Sequence, residues 1–422
     1  MHIRILANKV YKHKGFVYQS EQWSEDANAI EIHVRPRKGS KALCSRCGRP
    51  GPTYDTLKPR SFSMVPIWGL TVLLVYAMRR VECKHCQAVC VERVPWAVSP
   101  KSRLTTALAH HLAGWARFLS WKEVSKRCGV SWEAVAQSLE WLVQWGLTHR
   151  SLDGIKAIGV DEIQTDKGHH YSTLVYQIDH NCKRLLWIGK ERTMATFGKF
   201  FDMLGKERTA GIQVVCSDMW KPYLTVIKQR CPQALNILDR FHVVGKLNQA
   251  IDDTRRDEVR ALAEQGKEAY LKKSRWLWLR RMQNLSKDQY AKLSDLLKIN
   301  LKTVKAYLIK ESFDQLWTYN TATWAGKFLD AWCREAMRYR SLPRVKKFVG
   351  TVRKHRSLIL NYFRAKSSLK QTFSSGIVEG FNNKAKLSIR KSYGFRSEKY
   401  RKMALFHALG ALPEPEATHR FG

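Results

Sequence analysis

The chain has 422 residues, 44 % of them hydrophobic, and carries 74 Lys+Arg against 36 Asp+Glu, a formal charge of +38. That length holds two to four domains at ~100–200 residues each, and the hydrophobic fraction excludes a chain dominated by disorder. The charge demands a polyanionic partner, nucleic acid before anionic membrane, since the longest apolar run, Leu70–Met78, falls far short of the ~20 residues that span a bilayer.

The first residues, MHIRILANKVYKHKG, alternate apolar and polar and lack the apolar core of a secretory signal. A reducing cytoplasm is expected, in which ten cysteines read as metal ligands or small core residues rather than disulfides. Residues 1–96 read as a β-rich domain, with strands at 30–34 and 71–76 and turns at Pro36–Gly39, Cys47–Pro52 and Lys58–Arg60. Cys44 and Cys47 form one CxxC knuckle and Cys83 and Cys86 a second, with 35 residues between them, wider than the ~15–20 of a compact ribbon. Four thiolates make the closed tetrahedral site of structural Zn²⁺. His85 or Cys90 can replace one ligand, and four unligated buried cysteines are the plainer alternative.

Residues 97–150 change to a helical period. Leu104, Leu108, Leu112 and Trp115 mark one helix, and two more follow around a Cys128-Gly129-Val130 turn with Ser131 as the second N-cap. A helix-turn-helix unit reading DNA would place Ser131, Trp132, Gln137 and Ser138 toward the bases. An ordinary helical hairpin packing Val124, Val130, Val135 and Leu139 is the competing reading.

Residues 151–245 read as an α/β run: strands at 155–163, 170–179 and 184–190 joined by turns at Lys167-Gly168 and Asp179–Asn181, a helix at 193–205, a strand at 212–218, a helix at 221–231 and a strand at 234–239. Residues 246–345 read as an all-helical block containing Trp276, Trp278, Trp317, Trp324 and Trp332. Residues 346–410 continue helical and intensely basic, and 411–422 form a frayed tail.

Two-metal phosphodiester chemistry needs two or three converging carboxylates. Asp161 interrupts the apolar strand IGVDEI, where an unpaired charge is costly. Asp218 ends the apolar strand VVCSD at a sheet's carboxyl edge, where ligands bind in α/β sheets; a helix cap is its ordinary alternative. Residues 344–405 hold 17 Lys+Arg but only Glu379 and Glu398 as acids. Glu398 reads as one half of a solvated ion pair. Glu379 lies early in a helix that Ser374 or Ser375 can cap, on a face with Asn383, Lys386 and Arg390, opposite Ile377, Phe381, Ala385 and Ile389. It reads as a metal ligand above a basic stripe, or as an acid favoured at a helix N-terminus. Lys386, Arg390, Lys391 and Arg396 are expected phosphate contacts. His242 and Arg240 are secondary candidates, and Asp239 a further polar group near the metals.

With GVDE at 159–162, SDMWKPY at 217–223, LDRFHVV at 238–244, SGIVEGFNNKAK from 375 and YGFRS at 393–397, the chain resembles the insertion-sequence DDE transposases of the ISL-three family over nearly its whole length. The resemblance implies an RNase H-like catalytic domain interrupted by the helical block, within a multidomain α/β chain that begins with a zinc-ribbon-like domain and a helix-turn-helix. It implies that Asp161, Asp218 and Glu379 are the catalytic triad, holding two Mg²⁺ or Mn²⁺ ions beside a structural Zn²⁺. The partners it implies are double-stranded DNA, as transposon ends and target, and a second copy in a dimer on DNA. The place of action would be the bacterial nucleoid. Two other readings stand beside it: a DNA-binding regulator without catalysis, and a hydrolytic RNase H-like nuclease.

Overall fold

This computed structural model describes residues 2–25, 28–165, 170–266, 271, 273–299, 301–369, 376–392, 394–395 and 397–416. They form two compact units: residues 1–151 with 385–422, and residues 152–384.

The first unit opens with a helix, α1 (Ile3–Val10), where the sequence reading expected β structure. Ile3, Leu6, Ala7 and Val10 recur at the helical period of 3.6, a pattern hidden by the alternation of the first few residues. These residues line an apolar groove with Ile32, Met64 and Val72. Strands β1 (Phe16–Ser24), β2 (Ala29–Pro36), β5 (Thr53–Ser63) and β6 (Thr71–Cys83) form a sheet in the order β1-β2-β6-β5, to which β7 (Ala88–Val91) adds as a hairpin partner of β6. The turn expected at Lys58–Arg60 is instead part of β5. Pro59 falls at a register irregularity of this outer strand, where a missing N–H costs no ladder bond.

Two short strands, β3 (Ala42–Leu43) and β4 (Pro50–Gly51), pair antiparallel on either side of the first CxxC turn. The second CxxC forms the turn between β6 and β7. Backbone bonds from Ser45 N to Val91 O and from Arg93 N to Leu43 O fasten the first turn to the end of β7.

Helices α2 (Thr106–Ala116), α3 (Trp121–Cys128) and α4 (Trp132–His149) share a core of Leu108, Leu112, Val124, Val135 and Leu139. Ser120 and Glu123 form a reciprocal capping box at the start of α3. Gly129 ends α3 in the left-handed region (φ +62), and Ser131 caps α4 through Ala134 N.

The second unit contains the expected α/β run. Its strands are β8 (Ala157–Gln164), β9 (Tyr171–Ile178), β10 (Lys183–Lys190), β11 (Val214–Ser217) and β12 (Leu235–Leu238). Their order is β10-β9-β8-β11-β12: an antiparallel meander, then two strands parallel to β8. Helices α5 (Met194–Leu204), the short α6 (Lys206–Ala210) and α7 (Lys221–Arg230) make the crossovers, and Phe197, Phe200, Phe201 and Tyr223 pack with Val160 and Val215 in one core.

From Arg240 the chain is helical: α8 (Arg240–Ala263), α9 (Arg275–Leu279), α10 (Lys287–Leu297), α11 (Lys302–Asp314), α12 (Ala322–Arg338), α13 (Pro343–Lys354) and α14 (Arg356–Ser368), with 3-10 turns at Met282–Asn284 and Gln315–Thr318. One core runs from Val243 to Phe363 and includes Trp278, Trp317 and Trp332, whereas Trp276 and Trp324 are exposed. Asn361 of α14 donates to Asn236 O of β12, tying the block back to the sheet.

Helix α15 (Gly376–Lys391) contains the boundary between the units. Its buried positions are Val378, Asn382 and Ala385, one step from the expected face of Ile377, Phe381, Ala385 and Ile389; only Ala385 of that face is fully buried. The expected caps Ser374 and Ser375, and the Lys167-Gly168 turn, lie outside the described residues. Helix α16 (Glu398–Leu409) packs Met403 and Ala404 into the core of α2–α4, and Glu398 pairs with Lys402 as expected of a solvated acid. The tail is not frayed at its start. Leu412 and Pro413 lie so close to Gly146 that a Cβ there would meet them at 2.7 and 2.9 Å, and Glu414 pairs with His110 at 3.0 Å.

Candidate active site

Parallel pairing sets the site. Val214 faces Ala157 and Cys216 faces Gly159, so continuing that register by two positions puts Asp218 opposite Asp161. Ser217 faces Leu238 on the next strand, which puts Asp239 opposite Asp218, and Asp239 N donates to Ser217 O as this register requires. Three aspartates therefore stand in one row, Asp161 within β8 and Asp218 and Asp239 just past the carboxyl ends of β11 and β12.

Each has different partners. The Asp161 carboxylate accepts from Glu162 N (2.8 Å) and from Asn382 Nδ2 (2.6 Å). Burial raises its pKa, and the charges of Asp239 and Asp218 raise it further. Asp218 accepts from Trp220 N (2.9 Å) and pairs with Arg192 at 2.8 Å. Arg192 also holds Glu162 at 2.8 Å and lies 4.3 Å over the Trp220 ring. Even so, burial pushes Glu162 up to about 7, with Asp161 and Asp218 adding to the rise. Asp239 accepts from Phe241 N (2.6 Å) and holds His242 Nδ1 at 3.0 Å. That hydrogen bond lifts His242 to about 8 against the opposing effect of burial.

The amino-terminal part of α15 docks on the same sheet. Gly159 admits Val378, whose Cγ2 would lie 2.4 Å from a Cβ at that position. Phe381 stacks on Tyr176 with ring centres 4.9 Å apart, and Tyr176 OH donates to Asn382 Oδ1 at 2.8 Å. Asn382 thus joins Tyr176 to Asp161. Glu379, exposed in the first turn, stands one helical turn before Asn382 on the same side of the helix.

The row fits a cation. Burial raises the pKa of Asp161 in the row and of its neighbour Glu162, and the buried Glu162 Oε2 has no hydrogen-bond partner. The three expected ligands do not form a ligand set as they stand. Among the described residues, only Cys44, Cys47, Cys83 and Cys86 place their ligand atoms within 4.8 Å of one another.

Those cysteines also fit a metal. A tetrahedron with Zn–S of ~2.3 Å has S···S edges of ~3.8 Å, and the Cys47–Cys83 and Cys44–Cys86 separations are 3.6 and 4.0 Å. All four are free thiols. Backbone N–H groups of the knuckle, first that of Cys47, push Cys44 down to about 6, whereas hydrogen bonding to Cys47 pushes Cys86 up to about 12. Four thiols this close cannot all ionise without a cation among them. Cys90 packs beside the set and bonds Ala88 O, and His85 is not part of it.

The expected DNA contacts divide. Ser138 is fully buried, with its hydroxyl donating to Ala134 O (2.7 Å), so it faces the core and not solvent. Trp132 is half-buried and packs edge-on to Tyr400 and beside Trp121. The Ser131 hydroxyl serves as a cap, and Gln137 is exposed. Lys386 and Arg390 are exposed, but Lys391 donates to Ala116 O and Arg117 O and caps the end of α2. Arg396 lies outside the described residues. Arg240 lies 4.8 Å over the Trp317 ring, on the wall of a cavity of about 740 Å³ that Arg281 and Asp314 also line.

Glu162, Arg192, Asn382 and Tyr176 were not singled out from sequence. The neighbouring GVDE and EGFNN motifs flag Glu162 and Asn382; nothing local flags Arg192, a single base between β10 and α5.

Comparison with known proteins gives this arrangement a class. A family model described as a transposase matches residues 158–404. A transposase for insertion sequence element IS1001 of Bordetella parapertussis is 27 % identical over 390 residues, covering 92 % of this chain and 93 % of that protein. A transposase for insertion sequence element IS1557 of Mycobacterium tuberculosis is 30 % identical over 398 residues, covering 88 % and 86 %. The class is an insertion-sequence transposase. Within that class the chain belongs to the ISL-three family of DDE transposases. Among the described residues no helix is long and apolar enough to cross a membrane.

Proposed function

We propose that this chain cuts DNA at the ends of its element and joins the freed 3′-hydroxyl to a target duplex, with Asp161, Asp218 and Glu379 as the catalytic acids. The observation that carries this reading is the row of aspartates across adjacent strands, with the pKa of Asp161 raised by burial, inside a chain of +38. The strand order supports an RNase H-like domain, since numbering β8 to β12 as one to five gives 3-2-1-4-5.

Asp161, Asp218 and Glu379 are the residues that would hold two Mg²⁺ or Mn²⁺ ions. Such ions activate a water or 3′-hydroxyl and stabilise the leaving oxygen. The chain's own residues prepare that site. Asn382 holds Asp161 through a hydrogen bond, Arg192 pairs with both Glu162 and Asp218, and the first turn of α15 carries Glu379. The exposed Lys386 and Arg390 extend the same helix as a basic track for the DNA backbone.

The four-cysteine cluster is proposed to bind structural Zn²⁺. Helices α3 and α4 are proposed as a helix-turn-helix that binds terminal inverted repeats, with Gln137 as its exposed reading residue. Two ends must be held together for the reaction, so a dimer on DNA is part of the proposal. The test is strand transfer: duplexes carrying the element's ends are incubated with Mg²⁺ and a plasmid target. Joined products from the wild type and none from Asp161→Asn are expected. Joining by that variant at the wild-type rate would overturn the assignment.

A further inference from the structure

The Asp239–His242 pair has no part in the triad, yet its position is specific. Asp239 occupies the third place in the aspartate row, and its carboxylate does two things at once: it caps α8 through Phe241 N and holds His242 Nδ1 at 3.0 Å. A carboxylate only accepts, so Nδ1 carries the hydrogen of this bond. The remaining ring nitrogen, Nε2, is then the atom free to act. The His242 side chain is 39 % exposed, so a ligand can reach it.

The surroundings define what that atom meets. Asp239, Asp161 and Asp218 all raise the pKa of His242, and His242 in turn lowers those of Asp161 and Glu162. The imidazole therefore stands within electrostatic reach of the acids that crowd the sheet edge. Arg192 is the other cation there, and both its pairs, to Glu162 and Asp218, lie on the side of β8 and β11. The positive end of α8 disfavours an imidazolium, and Asp239 opposes that effect by capping the same end.

We propose that His242 is a catalytic residue of this site, donating a proton from Nε2 to the 3′-oxygen that leaves when a phosphodiester is cut. This rests on the active-site reading above. The bookkeeping closes. The oxygen of water or of a 3′-hydroxyl forms a new bond to phosphorus, and the phosphorus–O3′ bond breaks. The leaving oxygen takes the Nε2 proton, the nucleophile's proton passes to solvent, and solvent reprotonates the ring. No oxidation or reduction is involved.

The experiment compares two duplexes carrying the element's end, one with oxygen and one with sulfur as the scissile 3′ atom, in Mn²⁺ under single-turnover conditions. A thiolate leaves without a proton donor. His242→Gln should slow the oxygen substrate by about 10²-fold or more, in the range of general-acid contributions, and the sulfur substrate by less than about 3-fold. Equal slowing of both, or of neither, overturns the proposal. Asp161→Asn should block both substrates. If it does not, the active-site reading fails, and that result is distinct from failure of the His242 role.

Discussion

The thiolate cluster and the aspartate row are built on opposite plans. The four cysteines sit on two hairpin turns joined by β7, and their sulfurs already stand at the spacing of a closed tetrahedron. Asp161 sits within β8 and Asp218 just past the end of β11, each with a different partner, and the third expected ligand stays on an exposed helical turn. A closed set has nothing left to offer a substrate. An open row, partly balanced by Arg192 and His242, would keep places for both ions and DNA on the proposed reading. On the proposed reading, structural and reactive metal chemistry would differ here in completeness as well as in ligand type.

The largest effect tests that division directly. Asp161→Asn should cut strand cleavage by more than the ~100-fold lost when a group behind a ligand is removed, while zinc content measured by atomic absorption stays at the wild-type value. Zinc loss in that variant would show that the two centres are not separate. Cys44→Ser is the converse. It should release zinc and lower the melting temperature of the first unit, with DNA-end affinity falling in a gel-shift assay. Unchanged metal content would refute the four-thiolate reading.

Two smaller effects concern the open row alone. Asn382→Ala leaves Asp161 without its side-chain donor and Tyr176 without its acceptor, and should lower Mn²⁺ affinity by ~10–100-fold, the usual cost of removing such support. Isothermal titration reads this without turnover, and wild-type affinity would show that Asn382 only anchors α15. Gly159→Ala drives a methyl into Val378. It should cost about 1–3 kcal/mol, the range for overpacking a filled site, measured as a shift of the urea midpoint. A neutral result would show that α15 moves away freely.

The sequence revealed these regions unequally for physical reasons. Both knuckles are local, and two CxxC turns name their ligands without knowledge of the fold. Strands β8 to β12 were found within two residues because apolar β-branched runs bounded by turns are local signals too. Asp161 and Asp218 stood out as charges on such runs. Their alignment depends on a parallel register that no local pattern reports, and the same register adds Asp239. Arg192 was invisible because one base in a basic chain carries no signal until its partners are in place. Ser138 was misread for a related reason. Helical period alone does not say which face of α4 meets the core, and α16, far along the chain, supplies part of that core. The opening helix was missed because its hydrophobic pattern starts as an alternation and becomes helical only by Val10.

The smallest effect is a pH dependence of stability. His242 is raised from 6.5 to about 8 by its bond to Asp239. A base with a raised folded pKa stabilises the fold fully below its unfolded value, and the contribution is lost as pH rises through the folded one. The advantage of wild type over His242→Gln should therefore be greatest below pH 6.5 and should disappear above about 8. Glu162 also loses stability with rising pH, because its folded pKa is raised, but in a lower window, between its ordinary 4.5 and about 7. The two windows overlap only in part, so urea midpoints at closely spaced pH values can separate them. Asp239→Asn should flatten the upper window and leave the lower one. If the upper window survives that substitution, Asp239 is not what holds the imidazolium, and the contrast between a closed thiolate site and a row partly balanced by its own bases would rest on Arg192 alone.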